Sequence, residues 1–270
     1  MSYRKKHLHP KIQKLKPKKI FFKKPGFWVV VGLLAVVSGV YYGLFSQRLQ
    51  VLAIEILGNE KITATEIEEV AKESLKRELL GAGLFAISSR SILIADKKNT
   101  IKDILIKFPK IKEVKVQRKL PHRVIVSVKE RTPVAVFCHT TETCFFIDDE
   151  GVIFEEAPAI LSGMLTIWQS GEQGAAALGE SMVKKNTMTA IMSIEKNLKD
   201  SFQIGVNEAR VGSSLVVTTA EHWEIYFDQQ QDIAGQIAKM NLLLKDAIPA
   251  DTRKSIQYIY LQYKDRAYYK

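Results

Sequence analysis

No charged residue interrupts positions 25–47, PGFWVVVGLLAVVSGVYYGLFSQ, a stretch of 23 residues near the start of the chain. A helix of this length, rising about 1.5 Å per residue, is about 35 Å long, which is enough to cross a hydrocarbon core of about 30 Å. A secretory signal peptide has a shorter apolar core that ends at small residues, and no such cleavage pattern follows here. We therefore expect a transmembrane helix that stays in the protein, rather than a removed signal peptide or a buried core helix.

The positive charge of the chain is concentrated in front of this stretch. Residues 1–24 hold ten of the 40 Lys and Arg residues and no acid, and the other 30 basic residues nearly balance the 29 acidic ones. A net charge of +11 would suit a nucleic-acid binder, but here it belongs to a tail and not to the body. By the positive-inside rule we expect a cytoplasmic tail that touches anionic lipid, an extracytoplasmic body and no nucleic-acid partner.

Four small residues recur on one face of the predicted transmembrane helix: Gly32, Ala35, Gly39 and Gly43. Small residues let a second helix approach closely within a membrane, which predicts that this face packs against a partner helix. Glycine is also common in membrane helices that have no such role, so both interpretations stay open.

The first part of the body has the pattern of a small α+β unit. Apolar and acidic residues alternate at 54–56, as in a strand with one buried face, and Thr-Ala-Thr-Glu at 63–66 is a capping box that starts a helix. Apolar residues at helical spacing over 101–108 predict a second helix. Two alternating strands follow around a turn at Leu120-Pro121, so the predicted order is strand, helix, helix, strand, strand.

The second part of the body is richer in strands. The segment 132–156 predicts a hairpin and a third strand, and further strands are expected over 202–228, 255–263 and 266–270. Amphipathic spacing predicts two helices, at 187–199 and 233–244, while 157–180 fits no element. The fold class expected for the whole chain is α+β: one transmembrane helix, then a βααββ unit, then a second β-rich domain with two helices.

Two cysteines and one acidic turn are the candidates for chemistry. Cys138 and Cys144 can face each other across a hairpin and form a disulfide in an oxidising compartment; two free thiols, or a metal site with His139, are the alternatives, although the spacing is not a common zinc pattern. The carboxylates of Asp148, Asp149 and Glu150, in the Asp-Asp-Glu-Gly turn at 148–151, could be a cluster for acid–base catalysis, but such turns are usually solvated. No nucleophile, zinc or phosphate motif occurs, so we expect no enzyme, no cofactor and no small-molecule substrate.

Four segments of the chain carry a resemblance to a known family. They are ILGNEKIT (56–63), FPKIKEVKVQRKLPHRVIVSVKE (108–130), ERTPVAVF (130–137) and IYLQYKDRAYYK (259–270). In this order and spacing they resemble the FtsQ family of bacterial cell division proteins, also called DivIB. The family often has a basic residue where this chain has Gln262, a small departure in a surface strand.

This resemblance implies a domain layout and a function. It implies a basic cytoplasmic tail (1–24), a transmembrane helix (25–47), a POTRA domain (49–130) and an FtsQ/DivIB-type β domain (131–270). It also implies a non-catalytic, single-pass scaffold of the cell membrane, concentrated at the division septum. Such a scaffold would bind the division proteins FtsB (DivIC) and FtsL and other divisome membrane proteins, and so help to organise septal peptidoglycan synthesis.

The partner-binding surface is expected in the last strands, where an exposed edge could receive a strand from a partner. The candidate residues are Tyr258, Tyr260, Gln262, Tyr263, Arg266, Tyr268 and Tyr269. The other interpretation is that these tyrosines only pack the final sheet.

Two further functions stay open at the level of sequence. POTRA domains also occur in envelope proteins of protein transport and outer-membrane assembly, but those proteins usually carry a long β-barrel, and too few residues follow position 130 to build one. A membrane-anchored cell-wall enzyme would need a catalytic constellation, and none is recognisable.

Overall fold

The computed structural model of the chain describes residues 25–80, 87–140, 142–158, 163–170, 176–253 and 255–270. The basic tail expected at 1–24 lies outside the described residues.

Helix α1, Pro25–Phe45, is apolar all round and buries none of its residues against the rest of the molecule. Within the described ranges it is the one helix long and apolar enough to cross a membrane. A helix that is apolar on every face and exposed in the isolated chain is suited to a lipid environment. A short 3-10 turn, Gln47–Leu49, leads from α1 into the body.

A three-stranded sheet forms the first part of the body. Its order is β1 (Ala53–Leu57), β5 (Arg123–Glu130) and β4 (Ile111–Lys119), with β1 parallel and β4 antiparallel to β5. Helices α2 (Ala64–Ser74) and α3 (Lys97–Lys107) cover one face of this sheet, because their apolar residues join one hydrophobic cluster with the alternating valines of β4 and β5.

Local sequence signals explain where α2 and α3 begin. The Glu66 carboxylate accepts hydrogen bonds from the Thr63 backbone N–H (3.3 Å) and hydroxyl (2.7 Å), as in the predicted capping box. Asp96 caps α3 by accepting from the backbone N–H groups of Lys98 and Asn99. Between the two helices lies a short hairpin, β2 (Arg77–Leu80) and β3 (Ile87–Ser89), that the sequence pattern does not predict.

A nine-stranded sheet forms the second part of the body, in the order β14-β13-β12-β11-β10-β9-β6-β7-β8. The strands are β6 (Ala135–Cys138), β7 (Cys144–Ile147), β8 (Ile153–Ala157), β9 (Thr166–Gln169), β10 (Val206–Val211), β11 (Leu215–Thr219), β12 (Glu224–Phe227), β13 (Tyr258–Tyr260) and β14 (Tyr268–Tyr269). Parallel pairing occurs between β6 and β9, β9 and β10, and β12 and β13, and the other neighbours are antiparallel.

Two helices cover one face of the nine-stranded sheet. Helices α4 (Lys185–Phe202) and α5 (Ile233–Asp246) contribute Met188, Ile191 and Met240 to a large cluster with inward-pointing strand residues. A third, four-residue helix, α6, Ala250–Arg253, follows α5 and is not predicted from the sequence. The α+β fold class is confirmed, including the βααββ order of the first part, which is POTRA-like, and the two principal helices of the second.

Ion pairs join the two parts of the body. One of them, between Arg131 and Asp148, shows that the acidic turn at 148–151 is not fully solvated as expected. Asp148, in the acidic turn expected to be solvated, is fully buried and pairs with Arg131, and it also accepts from the backbone N–H groups of Glu150 (2.9 Å) and Val152 (3.0 Å). The side chain of Asp148 is therefore structural, because it accepts hydrogen bonds from the turn and pairs with the largely buried Arg131 side chain. The domain boundary at 130/131 stays a prediction.

Candidate partner-binding site

The last two strands form a hairpin at one end of the nine-stranded sheet. In it, β14 pairs only with β13, in the register Ile259 with Tyr269 and Tyr260 with Tyr268. The outer side of β14 is thus an edge of the sheet, and within the described part of the chain no other strand pairs with it. Edge strands carry unpaired backbone donors and acceptors that can bind another strand.

The hydrogen-bond register shows which backbone groups point outward. The Lys270 N–H donates to the Tyr258 carbonyl (3.2 Å), and the Tyr258 N–H donates to the Lys270 carbonyl (3.4 Å), so these two residues form a hydrogen-bonded pair. Such pairs alternate with non-hydrogen-bonded pairs along an antiparallel ladder. The N–H and C=O of Tyr269 therefore point away from β13, toward the open edge.

At the opposite end of the sheet, the start of β8 is covered by the chain itself. The Ile153 N–H of β8 donates to the Glu180 carbonyl (3.0 Å), and the Gly179 N–H donates to the Ile153 carbonyl (2.7 Å). An isolated bridge between Val152 and Ser181 continues this cover. The start of β8 is therefore occupied.

The candidate tyrosines divide into two groups. Tyr258 and Tyr260 are half-buried, with their ring centroids 4.8 Å apart, and Tyr226 of β12 lies 4.4 Å from Tyr260. The exposed group is Tyr263 (54% exposed), Tyr268 (48%) and Tyr269 (48%). The first group packs an aromatic row on the sheet face away from the helices, whereas the second is free to contact another molecule.

The two polar candidates differ in exposure. The Arg266 side chain is exposed in the turn before β14, whereas Gln262 is half-buried. The backbone carbonyl of Gln262 accepts a hydrogen bond from Gln231 Nε2 at 2.8 Å.

A charged network stabilises the aromatic row. Arg210 pairs with Glu224, and the Tyr226 hydroxyl donates to Glu224 Oε2 at 2.5 Å. The hydrogen bond to this carboxylate, with burial, raises the pKa of Tyr226 to about 12. Burial alone would raise the pKa of Glu224, but the donors from Tyr226 and Arg210 outweigh it and lower that pKa. The Tyr226 hydroxyl therefore stays protonated across ordinary pH.

A lysine that no sequence motif singles out positions the turn between β13 and β14. Lys239 Nζ, on α5, donates to the carbonyls of Leu261 (3.0 Å), Tyr263 (2.5 Å) and Lys264 (3.4 Å). Its ammonium group thus binds three carbonyls of one turn. The only sequence signal was its place on the polar side of an amphipathic helix, which does not identify a partner 22 residues or more away.

The small residues of α1 have different surroundings. A side-chain carbon at Gly32 or Gly39 would meet nothing within 4 Å, and Ala35 is exposed, so this part of the face is open. At Gly43 it would lie 3.6 Å from Leu93 Cδ1 of the body. The C-terminal end of this row of small residues thus contacts the body of the protein.

The two cysteines lie opposite each other in the β6–β7 hairpin and form a disulfide, with Sγ atoms 2.01 Å apart. Both are buried in a small cluster on the sheet face away from α4 and α5. Among the described residues, no group of three or more His, Cys, Asp or Glu is placed to hold a metal ion.

Comparison with known proteins gives two similar sequences, and no family model matches. The chain is 25% identical over 230 residues to the cell division protein FtsQ of Chloroflexus aurantiacus, covering 82% of this chain and 76% of the relative. It is 30% identical over 135 residues to the cell division protein FtsQ of Koribacter versatilis, covering 47% of this chain and 35% of the relative. These similarities, the apolar N-terminal helix and the POTRA-like α+β body together support a place for the chain in the FtsQ family, and with it a role in cell division.

Proposed function

We propose that this protein is a non-catalytic, bitopic scaffold of the bacterial divisome that binds FtsB/DivIC-like and FtsL-like division proteins through its last two strands. Binding there would help to organise septal peptidoglycan synthesis. The observation that carries the proposal is the open edge of β14, with the Tyr269 backbone N–H and C=O directed outward.

Strand addition explains how so short an edge can bind a partner. An incoming strand pairs with the outward backbone groups of β14, which gives affinity, while side chains beside the edge give specificity. Three exposed tyrosines, Tyr263, Tyr268 and Tyr269, surround the edge. Large aromatic side chains of this kind dominate the energetics of many interfaces.

The membrane arrangement fits a scaffold role. In the proposed orientation the basic tail is cytoplasmic, α1 crosses the cell membrane, and the body reaches its partners on the outer side at the septum. The open face of Gly32, Ala35 and Gly39 is a second surface for a partner helix within the membrane. A role in protein transport finds no comparable support, because both similar proteins are named for cell division.

A proline substitution tests the strand-addition step. Tyr269→Pro removes one outward N–H and places a ring against the incoming strand, while the bonds of β13 to residue 270 keep their donors. In the reconstituted full chain, we expect affinity for an FtsB-like partner to fall by about tenfold or more, since one strand hydrogen bond is lost and a steric contact is added.

Tyr269→Val is the matched control, because it also removes the phenol ring but keeps the N–H and favours a strand. Affinity would be measured by biolayer interferometry on nanodisc-embedded protein, with thermal unfolding as the check on folding. Equal affinity of the proline and valine variants, both folded, would show that the partner does not add a strand to β14.

A further inference from the structure

The end of helix α1 is bonded to the POTRA-like part of the body. The last four carbonyls of a helix have no partner within it, and here body residues donate hydrogen bonds to two of them. Ser91 Oγ donates to the Gly43 carbonyl (2.7 Å), and Ser89 Oγ (2.5 Å) and Gln50 Nε2 (2.8 Å) donate to the Leu44 carbonyl. The segment around Ser89 and Ser91 is therefore fixed beside the last turn of α1.

This bonding places Leu93 at the level of the membrane surface. Leu93 is half exposed, and its Cδ1 lies against Gly43. Tyr41 and Tyr42 occupy the neighbouring positions of α1, and tyrosines of membrane helices concentrate at the boundary between lipid and water. Because α1 is the membrane-crossing helix, Leu93 lies where the hydrocarbon ends.

Two more exposed leucines belong to the same region. The Val51 N–H donates to the Arg90 carbonyl (3.0 Å), and the Leu52 N–H donates to the His122 carbonyl (2.9 Å). These bonds join residues 48–52, 89–93 and 118–123 into one surface, which we call the anchor-proximal rim. Within it Leu52 is 69% exposed and Leu120 is 68% exposed.

The charge of the anchor-proximal rim is entirely positive. Its three segments contain five Lys or Arg residues and no Asp or Glu. They are Arg48, Arg90, Arg118, Lys119 and Arg123. Arg118 is held by donating to the Leu93 carbonyl at 3.2 Å, and Arg123 lies 3.8 Å from Glu55 outside the rim, but Arg48, Arg90 and Lys119 are exposed.

We propose that the anchor-proximal rim rests on the bilayer, with Leu52, Leu93 and Leu120 at the boundary of headgroups and acyl chains and the basic side chains against anionic phospholipid. Apolar residues flanked by Lys and Arg are the composition of surfaces that lie on membranes. A lipid partner is favoured over a protein one because the rim is continuous with a helix that the same lipid surrounds. The bonds to α1 then hold the POTRA-like part in a fixed position over the membrane.

Nitroxide labelling of the full chain tests this placement. Single cysteines would replace Leu52, Leu93 or Leu120, with the native disulfide kept, in nanodiscs of phosphatidylglycerol and phosphatidylcholine. We expect labels on the rim to be relaxed more by oxygen than by a water-soluble nickel complex. A label at Leu242, which is 64% exposed on α5, is the matched control and should show the reverse.

A label at Leu34, in the middle of α1, separates failure of this inference from failure of membrane insertion. If Leu34 reports lipid while the three rim labels behave like Leu242, α1 is inserted and the rim does not touch the membrane, which overturns the proposal.

Charge removal tests the lipid class. The double substitution Arg90→Gln with Lys119→Gln should move the Leu120 label toward water in anionic nanodiscs. Nanodiscs of pure phosphatidylcholine should have the same effect on the label without these substitutions. Lys196→Gln with Lys199→Gln, two exposed lysines of α4, is the matched control and should leave the label unchanged. A Leu120 label that is equally deep in all of these conditions would overturn the assignment of anionic lipid to the basic side chains.

Discussion

At the scale of single residues, the terminal hairpin depends on one side chain from outside it. Lys239 reaches from α5 to three carbonyls in the turn between β13 and β14. Two exposed tyrosines form β14, so few buried contacts hold this strand in place. Hydrogen bonds from this charged donor therefore stabilise the hairpin, whereas core packing stabilises the inner strands.

We expect Lys239→Met to loosen the hairpin. Methionine keeps an apolar side chain of similar length but removes the ammonium group, and hydrogen bonds from a charged donor contribute about 1.5–3 kcal/mol. Amide hydrogen exchange at residues 268–270 should quicken, and partner affinity should fall. Lys245→Met, an exposed lysine on the same helix, is the control; similar exchange in both variants would contradict the role given to Lys239.

At the scale of elements, one carboxylate joins the end of β5 to the loop that leads into α2. Glu130 accepts hydrogen bonds from the backbone N–H groups of Glu60 (2.8 Å), Lys61 (3.0 Å) and Ile62 (3.1 Å). Burial works against the ionised form, but these donors outweigh it and hold the pKa of Glu130 below its ordinary value. The ionised carboxylate thus stabilises the folded loop.

The sign of the resulting pH dependence follows from linkage. A carboxyl group whose pKa is lowered on folding contributes stability above its unfolded pKa, about 4.3 for Glu, and loses it as the pH falls through the folded value. We expect Glu130→Gln to destabilise the protein at pH 7 and to flatten the loss of stability below about pH 4. Urea denaturation of the full chain in detergent from pH 7 to pH 3 measures this, with Glu156→Gln, an exposed carboxylate on β8, as the control. Parallel curves for wild type and Glu130→Gln would exclude the effect.

At the scale of the whole molecule, ion pairs fix the POTRA-like part against the nine-stranded sheet. Arg131 pairs with buried Asp148, and Lys112 Nζ lies 2.6 Å from Asp149 Oδ1. Lys110 adds a third pair, 2.7 Å from Glu155. The POTRA-like part and the sheet that carries the terminal hairpin therefore belong to one connected structure.

Removing the buried carboxylate of Asp148 should lower the free energy of unfolding far more than removing the more exposed carboxylate of Asp149. We expect Asp148→Asn to lower the free energy of unfolding by about 3 kcal/mol, because it leaves the largely buried Arg131 side chain without its counter-charge. Asp149→Asn breaks a more exposed pair and should cost less than about 1 kcal/mol. Equal losses for the two variants in urea denaturation would show that the Arg131 pair does not stabilise the junction.

The sequence by itself determined the features that depend on residues close to one another along the chain. The apolar run gave the membrane-crossing helix, and the alternation and helical spacing of apolar residues gave the βααββ order, because these patterns are local consequences of side-chain direction. It also identified the C-terminal tyrosines as a group, but not which of them are exposed.

Only the tertiary structure decided that β14 lies at an edge of the nine-stranded sheet, that Asp148 is buried, and that Lys239 binds the terminal turn. It also decided that Leu93 lies against the end of α1 and that backbone bonds join the segments of Leu52 and Leu120 to the same surface. Each of these depends on strand pairing or burial between residues that are distant along the chain, and local periodicity carries no information about such contacts.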